Sequence, residues 1–341
     1  MATGFIARNW KLIAGFAGFA LVREILQRRK FIDLQSRVVL ITGGSRGFGL
    51  AMAEEFAKEG SKLVISSRDN DELERARMKL AEFGADVLTV QCDVTNPEEV
   101  QQLITQANAR FGQIDVLVNN AGIISAGPWQ TLTRSDFEES MNIMFWGTYN
   151  TTMAVLPQMT ERKSGRIVNI TSVGGKASIP HLLAYSSAKF AAVGFSEGLH
   201  AELAKDGITV VTVAPGLMRT GSQINAVVKG DENKTEYTLF ALIDTLPLFS
   251  ISVQRAAKQV VNATKRGDAE LIITVQAQIL ARLYGAFPGL MSDLMSVAHR
   301  LLPTSNSTGT ASHLGRESET PISKSFLTVL GQKASQEHNE E

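Results

Sequence analysis

Cysteine is almost missing from this chain: of 341 residues only Cys92 carries a thiol, which excludes an intramolecular disulfide framework and a thiolate-based zinc cluster. A reduced, cytosol-facing compartment is the expectation that follows, and no metal ligand is assigned. Net charge is missing too. Lysine and arginine together number 34, and so do aspartate and glutamate. No overall field therefore favours nucleic acid or an anionic surface, and none is expected as a nucleic-acid partner. Nor does the N-terminal apolar run, LIAGFAGFALV at Leu12 to Val22, reach the roughly 20 residues that span a bilayer. It lacks a clear small-residue cleavage site for a secretory signal. Flanked by Lys11 and Arg23 and followed by QRRK at 27–30, residues 1–30 are expected to form an apolar or amphipathic helix. That helix lies either at a membrane interface or on the protein's own surface.

The length suits one sizeable core with appendages. RVVLITG, KLVISS, DVLTVQCDV, IDVLVNNAG, GRIVNITS, GITVVTVAP and ELIITV are apolar nearly throughout, as strands buried on both faces must be. Between them lie segments such as PEEVQQLITQANARFG, with apolar residues at helical spacing. The fold class predicted for residues 36–275 is α/β: a doubly wound, seven-stranded parallel sheet of the Rossmann type, with helical extensions at both ends. Ligands of such sheets collect beyond the carboxyl ends of the strands.

Three regions fall outside this rhythm. Residues 216–250 form a long insertion, polar in its middle and apolar at its end, of the kind that serves as a lid or binding segment. Residues 276–303 carry Ile279, Leu283, Phe287, Leu290, Leu294, Val297 and Leu301 at helical intervals, broken by FPG at 287–289. They read as two amphipathic helices, for core or dimer packing or for membrane contact. Residues 304–341, rich in Ser, Thr, Gly and Glu, read as a mostly disordered tail.

The first strand runs into TGGSRGFG, Thr42 to Gly49, and then into a helix. Glycines there permit a tight turn and let phosphates approach free amides at a helix N-terminus. The spacing of Gly43, Gly47 and Gly49 differs from G-x-G-x-x-G and resembles that of the classical short-chain dehydrogenases/reductases. The resemblance extends over about Arg37 to Val275. It includes NNAG at Asn119 to Gly122, CDV at Cys92 to Val94, and PG at Pro215 and Gly216. It implies a nicotinamide dinucleotide held by Gly43, Ser45, Arg46, Gly47, Phe48, Gly49, Arg68, Asp93, Val94, Asn120, Ala121, Gly122, Tyr185, Lys189, Pro215, Gly216 and Thr220. Charge bears on which nucleotide is held. Where an NAD enzyme places a carboxylate after the second strand this chain has Ser67, followed by Arg68, with Arg46 in the loop. Cations suit the extra phosphate of NADP (NADPH), with Asp69 the one opposing charge.

Tyr185 and Lys189 are four apart, the spacing that shares one helix face. An ammonium nearby favours phenolate and should lower the phenol's pKa from near 10, making a tuned acid/base. The pair matches the family's Y-x-x-x-K. The resemblance makes Ser172 the hydroxyl that binds the substrate oxygen, and Asn142, in SMNIMFWGTYN, the residue that holds a water linking lysine to solvent. Thr171 should point away from the site. His181 and His200 are read as bystanders, Cys92 as a small buried side chain, and Trp129 and Trp146 as packing groups, with Trp129 close enough to line the mouth.

The expected function is an NADP-dependent oxidoreductase interconverting a carbonyl and an alcohol on a lipophilic substrate of steroid, retinoid or long-chain type. One alternative is a 3-oxoacyl thioester reductase of fatty-acid metabolism. Another is a non-catalytic dinucleotide-sensing or scaffolding protein, since fold alone does not establish function. A homo-oligomer is expected from the family's habit. So is a cytoplasmic location, with peripheral contact to the cytosolic face of a membrane through 1–30 and 276–302.

Overall fold

A computed structural model describes residues 30–247, 249–303, 309–325 and 328–340; the expected N-terminal helix lies outside the described residues. Seven strands form one all-parallel sheet: β1 (Val38–Thr42), β2 (Lys62–Ser67), β3 (Val87–Gln91), β4 (Val116–Asn119), β6 (Gly165–Ile170), β7 (Ile208–Pro215) and β11 (Glu270–Ile273). Their order is β11-β7-β6-β4-β1-β2-β3. The chain thus runs outward from β1 in one direction, then returns to β4 and runs outward in the other. The crevice between β1 and β4 is where the loops that follow them part, and where a ligand can enter. All seven apolar runs read from the sequence are these strands.

Helices cover both faces, as a parallel sheet requires. On one face α1 (Gly47–Lys58), α2 (Asn70–Ala81) and α8 (Val253–Arg266) pack Leu50, Phe56, Leu73 and Val260 against Ile41, Ile65 and Val213. On the other, α3 (Pro97–Phe111), α5 (Gly147–Glu161) and α6 (Leu183–Leu203) pack Leu103, Val155 and Leu199 against Leu40, Leu117 and Val210. Local sequence sets the helix starts. The Asp69 carboxylate accepts from the Glu72 amide at 2.9 Å, and Asn96 caps α3 ahead of Pro97. Thr133 and Asp136 form a capping box on α4 (Arg134–Met141).

The 216–250 insertion is structured. It contains β8 (Met218–Arg219), β9 (Val227–Lys229), α7 (Asn233–Thr245) and β10 (Ile251–Ser252) at its exit. Strand β9 joins β5 (Ser125–Ala126) and β12 (Ser312–Leu314) in a small second sheet. A buried ion pair, Lys229 Nζ to Asp136 Oδ1 at 2.9 Å, ties that sheet to α4. Two further helices, α9 (Val275–Ala286) and α10 (Pro288–His299), make a hairpin broken at Phe287, as the FPG sequence predicts.

Beyond residue 308 the structure departs from the expected disorder. Strand β12 adds to β9, and α11 (Val329–Glu337) packs on the insertion, where a side chain on Gly331 would meet Thr245 and Gln223. A polar composition hid this because the segment is held mainly by hydrogen bonds and small residues. Examples are Asn233 Nδ2 to Ser318 Oγ at 2.8 Å and Lys229 Nζ to Ser312 Oγ at 2.8 Å. Among the described residues no helix is long and apolar enough to cross a membrane.

Candidate active site

The glycine turn leaves β1 at the crevice. Gly43 and Gly47 adopt φ of 60° and 53°, values that favour glycine. Asn120, from the loop after β4, fastens the turn: its backbone N–H donates to Thr42 Oγ1 at 3.0 Å, and its Nδ2 donates to Thr42 O at 3.1 Å and Gly43 O at 2.9 Å. Its neighbour Asn119 faces inward, donating to Thr152 Oγ1 and Asn169 Oδ1 and accepting from Thr151. Every cofactor residue named from the sequence lines one cleft of about 660 Å³, and Ser172 does too.

Tyr185 and Lys189 project from one side of α6 into that cleft, with Lys189 Nζ 5.8 Å from the tyrosine ring centre. Lys189 is buried and donates to Ile170 O, at the end of β6, at 2.9 Å. Ser172, two residues further on, hydrogen-bonds the Tyr185 hydroxyl and accepts from the Gly174 amide at 3.0 Å. Thr171 turns its hydroxyl to Val213 O at 2.6 Å. The electrostatics differ from the expectation. Burial pushes the Tyr185 phenol up, opposed only by the Ser172 hydrogen bond. The same burial brings Lys189 down to about 8. Desolvation favours the neutral form of both groups.

Asn142 is the residue the structure does not bring to the site. It opens a π-helical turn, Asn142–Trp146, and is exposed outside the cleft. Met144 is the buried residue that lines the cleft. A Cβ placed on Gly122 would lie 3.7 Å from Met144 Cγ and 3.8 Å from Lys189 Nζ, so Met144 and the lysine border the same glycine, and Asn142 does not. Gly147 held the signal. Its missing side chain makes room for Val94, which marks the inward face, and Met144 shares that face at i, i+3.

At the β2 end of the cleft, Ser67, Arg68 and Asp69 follow the strand along the wall. Asp69 is engaged in capping α2. Asp93 accepts from the Thr95 amide at 2.9 Å. Sequence reasoning missed Glu72, which accepts from Ser45 Oγ at 2.8 Å and pairs with Arg46 at 2.9 Å. It also missed Asp244 of α7, a buried carboxyl in the cleft wall pushed up to about 7 by burial, with Arg219 pulling the other way. Cys92 is buried, its thiol pushed up to about 12 by desolvation, which suits an inert side chain. His181 is buried and pairs with Glu236, and His200 Nδ1 lies 2.6 Å from Val210 O. Trp129 and Trp146 are exposed rather than packed inside.

A glycine turn at the switch point of a parallel sheet, with a Ser-Tyr-Lys group across the crevice, defines a dinucleotide-dependent oxidoreductase site. A family profile described as short chain dehydrogenase matches residues 37–229, and the chain belongs to the short-chain dehydrogenase/reductase family. It is 34% identical over 258 residues to a dehydrogenase/reductase SDR family protein 7-like of Anopheles gambiae, covering 74% of this chain and 80% of that one. Among solved structures it resembles a short-chain dehydrogenase from Streptomyces avermitilis, with TM-score 0.67, 28% identity, and coverage of 79% of this chain and 100% of the other. It also resembles L-sorbose reductase from Gluconobacter frateurii complexed with NADPH and L-sorbose, with TM-score 0.63, 27% identity, and coverage of 71% and 97%.

Proposed function

We propose that this chain interconverts a carbonyl and an alcohol on a lipophilic substrate, using NADP(H), with Tyr185 as the acid/base. The observation that carries the reading is the meeting of Tyr185, Ser172 and Lys189 in the cleft that also holds the glycine turn. The residues fit a dinucleotide. Gly43 and Gly49 let the turn close tightly on the Gly43 carbonyl, Asn120 and Ala121, where a side chain would collide, and α1 starts from that turn with its N-terminus in the cleft. When bound, the dinucleotide supplies or accepts the hydride. The Ser172 hydroxyl holds and polarises the substrate oxygen, and the Tyr185 hydroxyl gives that oxygen its proton. Lys189, at about 8, is mostly cationic at neutral pH. Its charge favours the phenolate that remains after proton transfer.

The choice of NADP is supported by Ser67 and Arg68 after β2 and by the presence of NADPH in the L-sorbose reductase complex. Arg68→Ala is expected to raise the KM for NADPH about tenfold or more, the scale of a lost charged hydrogen bond, and to leave the KM for NADH nearly unchanged. Steady-state rates with both nucleotides on a panel of ketones, aldehydes and a 3-oxoacyl thioester test this and the substrate class together. Equal effects on the two nucleotides would overturn the preference.

A lipophilic substrate at a membrane surface is supported by the α9–α10 hairpin. Ile279, Leu283, Phe287, Leu290, Leu294, Val297 and Leu301 are all exposed, and on the two helices only Ala277 and Met291 are buried. The hairpin is rooted at the cleft: Ala277 lies against Gly216, and the His299 ring is 5.2 Å from that of His181. Exposed Arg282 and Arg300 flank the apolar stripe, and the apolar run Leu12 to Val22 has the same basic flanks. These are the features of an element lying in a lipid interface. Leu290→Ser with Leu294→Ser is expected to reduce sedimentation with phosphatidylcholine–phosphatidylserine vesicles at least tenfold, given about 1.5–3 kcal/mol per buried leucine. Unchanged sedimentation, with residues 1–30 removed from both forms, would exclude the hairpin as the contact.

A further inference from the structure

The cleft that holds the glycine turn is also lined by Glu340, from far along the chain, and the two residues before it reach the same turn. The Gly47 amide, the first of α1, donates to His338 O at 2.8 Å. Asn339 takes a left-handed backbone, φ 59°, and its Nδ2 donates to Ser45 O at 2.9 Å and Glu72 O at 3.1 Å. Arg75 Nε donates to Asn339 Oδ1 at 2.6 Å. Glu340 is buried against Gly47, with Oε2 3.6 Å from Arg46 Nε. Asn225 Nδ2, from the insertion, donates to Glu340 Oε2 at 2.7 Å and to its backbone oxygen at 3.0 Å.

These contacts use what a dinucleotide phosphate needs: an amide of the glycine turn, the Arg46 guanidinium, and the space over Gly47, where a side chain would collide with Glu340. The Glu340 carboxyl sits in an anion site, pushed up to about 7 by burial, with Arg46 and Asn225 pulling the other way. Neither it nor the His338 carbonyl that accepts from the Gly47 amide can remain while a larger anion takes that place, because sterics oppose it and so, once the carboxyl is ionised, does like charge. Held by α11 and by β12, the segment remains tethered after release and competes at high effective concentration.

We propose that residues 338–340 are a built-in competitor of the dinucleotide, with the Glu340 carboxylate occupying the phosphate seat of the glycine turn and leaving when cofactor binds. The proposal rests on the dinucleotide cleft and not on the choice of NADP. Because Asn225 belongs to the insertion that covers the substrate side, release of Glu340 also frees one tie between cofactor cleft and lid.

The test titrates the full chain, a chain lacking residues 338–341, and the full-length Glu340→Gln variant with NADPH and with NADH, following nicotinamide fluorescence. Hydrogen exchange over residues 329–340 is followed alongside. A docked state populated about ten to one lowers apparent affinity about tenfold. Removal of 338–341 is therefore expected to tighten binding of the better nucleotide about tenfold, and Glu340→Gln to tighten it by a smaller factor. Saturating nucleotide should deprotect the amides near 338–340 in the full chain. Unchanged affinity in both variants would overturn the proposal. Weaker affinity after removal would overturn it too, by making the segment a clasp over bound cofactor. NADH emerging as the better ligand, with the same gain on removal, would refute the NADP preference and leave the competitor standing.

Discussion

Tyr185→Phe is expected to lower kcat by about 10²- to 10⁴-fold, the range a positioned general acid contributes, while the Kd for the dinucleotide changes less than about twofold. The substitution deletes one oxygen and keeps the ring that packs beside Gly174. What the protein loses in stability is one hydrogen bond to Ser172, about 1 kcal/mol. A fall of the predicted size cannot then be blamed on unfolding. The residual rate should reflect Ser172 and the cleft, which still bind and orient substrate. The raised phenol pKa of the free protein sharpens the expectation. Burial keeps the hydroxyl protonated at neutral pH, the form that reduction of a carbonyl requires. Single-turnover reduction with the nucleotide pre-bound separates chemistry from binding. Turnover within a few-fold of wild type would remove Tyr185 from the mechanism.

The fold was legible because each buried strand is a short apolar run and each helix keeps a period of 3.6, so local pattern and burial agree. RVVLITG became β1, with all five of its strand residues buried. The glycine turn was legible because its backbone demands are severe: Gly43 and Gly47 sit at positive φ, and few residues tolerate that. Asn142 was less tractable. Residue type selected the asparagine, whereas the π turn decides which side chains face the lysine, and only the tight fit of Gly147 against Val94 reports the inward face. The phenol's charge state was hidden for another reason. Spacing places Lys189 beside Tyr185, but the cost of taking both out of water depends on everything packed around them.

The docking of residues 309–325 and 328–340 could not be read from composition at all. Nothing in SHLGRESET (312–320) or KASQEHNE (333–340) has the apolar content that forces burial. Its attachments are polar and paired with distant partners: Asn339 with Ser45, Gln254 with His338, Asn225 with Glu340. Hydrogen bonds between residues so far apart in sequence leave no periodic trace. They matter where a buried donor or acceptor would otherwise lack a partner.

Gly49→Ala is expected to weaken dinucleotide binding at least a hundredfold, although alanine is the better helix former by about 1 kcal/mol. A methyl group there would overlap the Gly43 carbonyl oxygen and stand 2.8 Å from Gly43 C and 2.7 Å from Asn120 Nδ2. Two of these neighbours are backbone, so no side-chain rotation relieves the clash. The third is the amide that clamps the turn through Thr42 O and Gly43 O. Overpacking of this kind costs roughly 1–3 kcal/mol, and each clamp bond lost adds about 1 kcal/mol, so the propensity gain is outweighed. The fold's core lies elsewhere, and the damage should concentrate in the turn: the urea midpoint falls modestly while nucleotide affinity collapses. Gly194→Ala is the matched control. It lies within α6 with nothing within 4 Å of the added methyl, so it should keep affinity and gain up to about 1 kcal/mol. Gly49→Ala protein that binds nucleotide as the control does would mean that the turn is not the phosphate cradle, and the assignment of the cleft would fail with it.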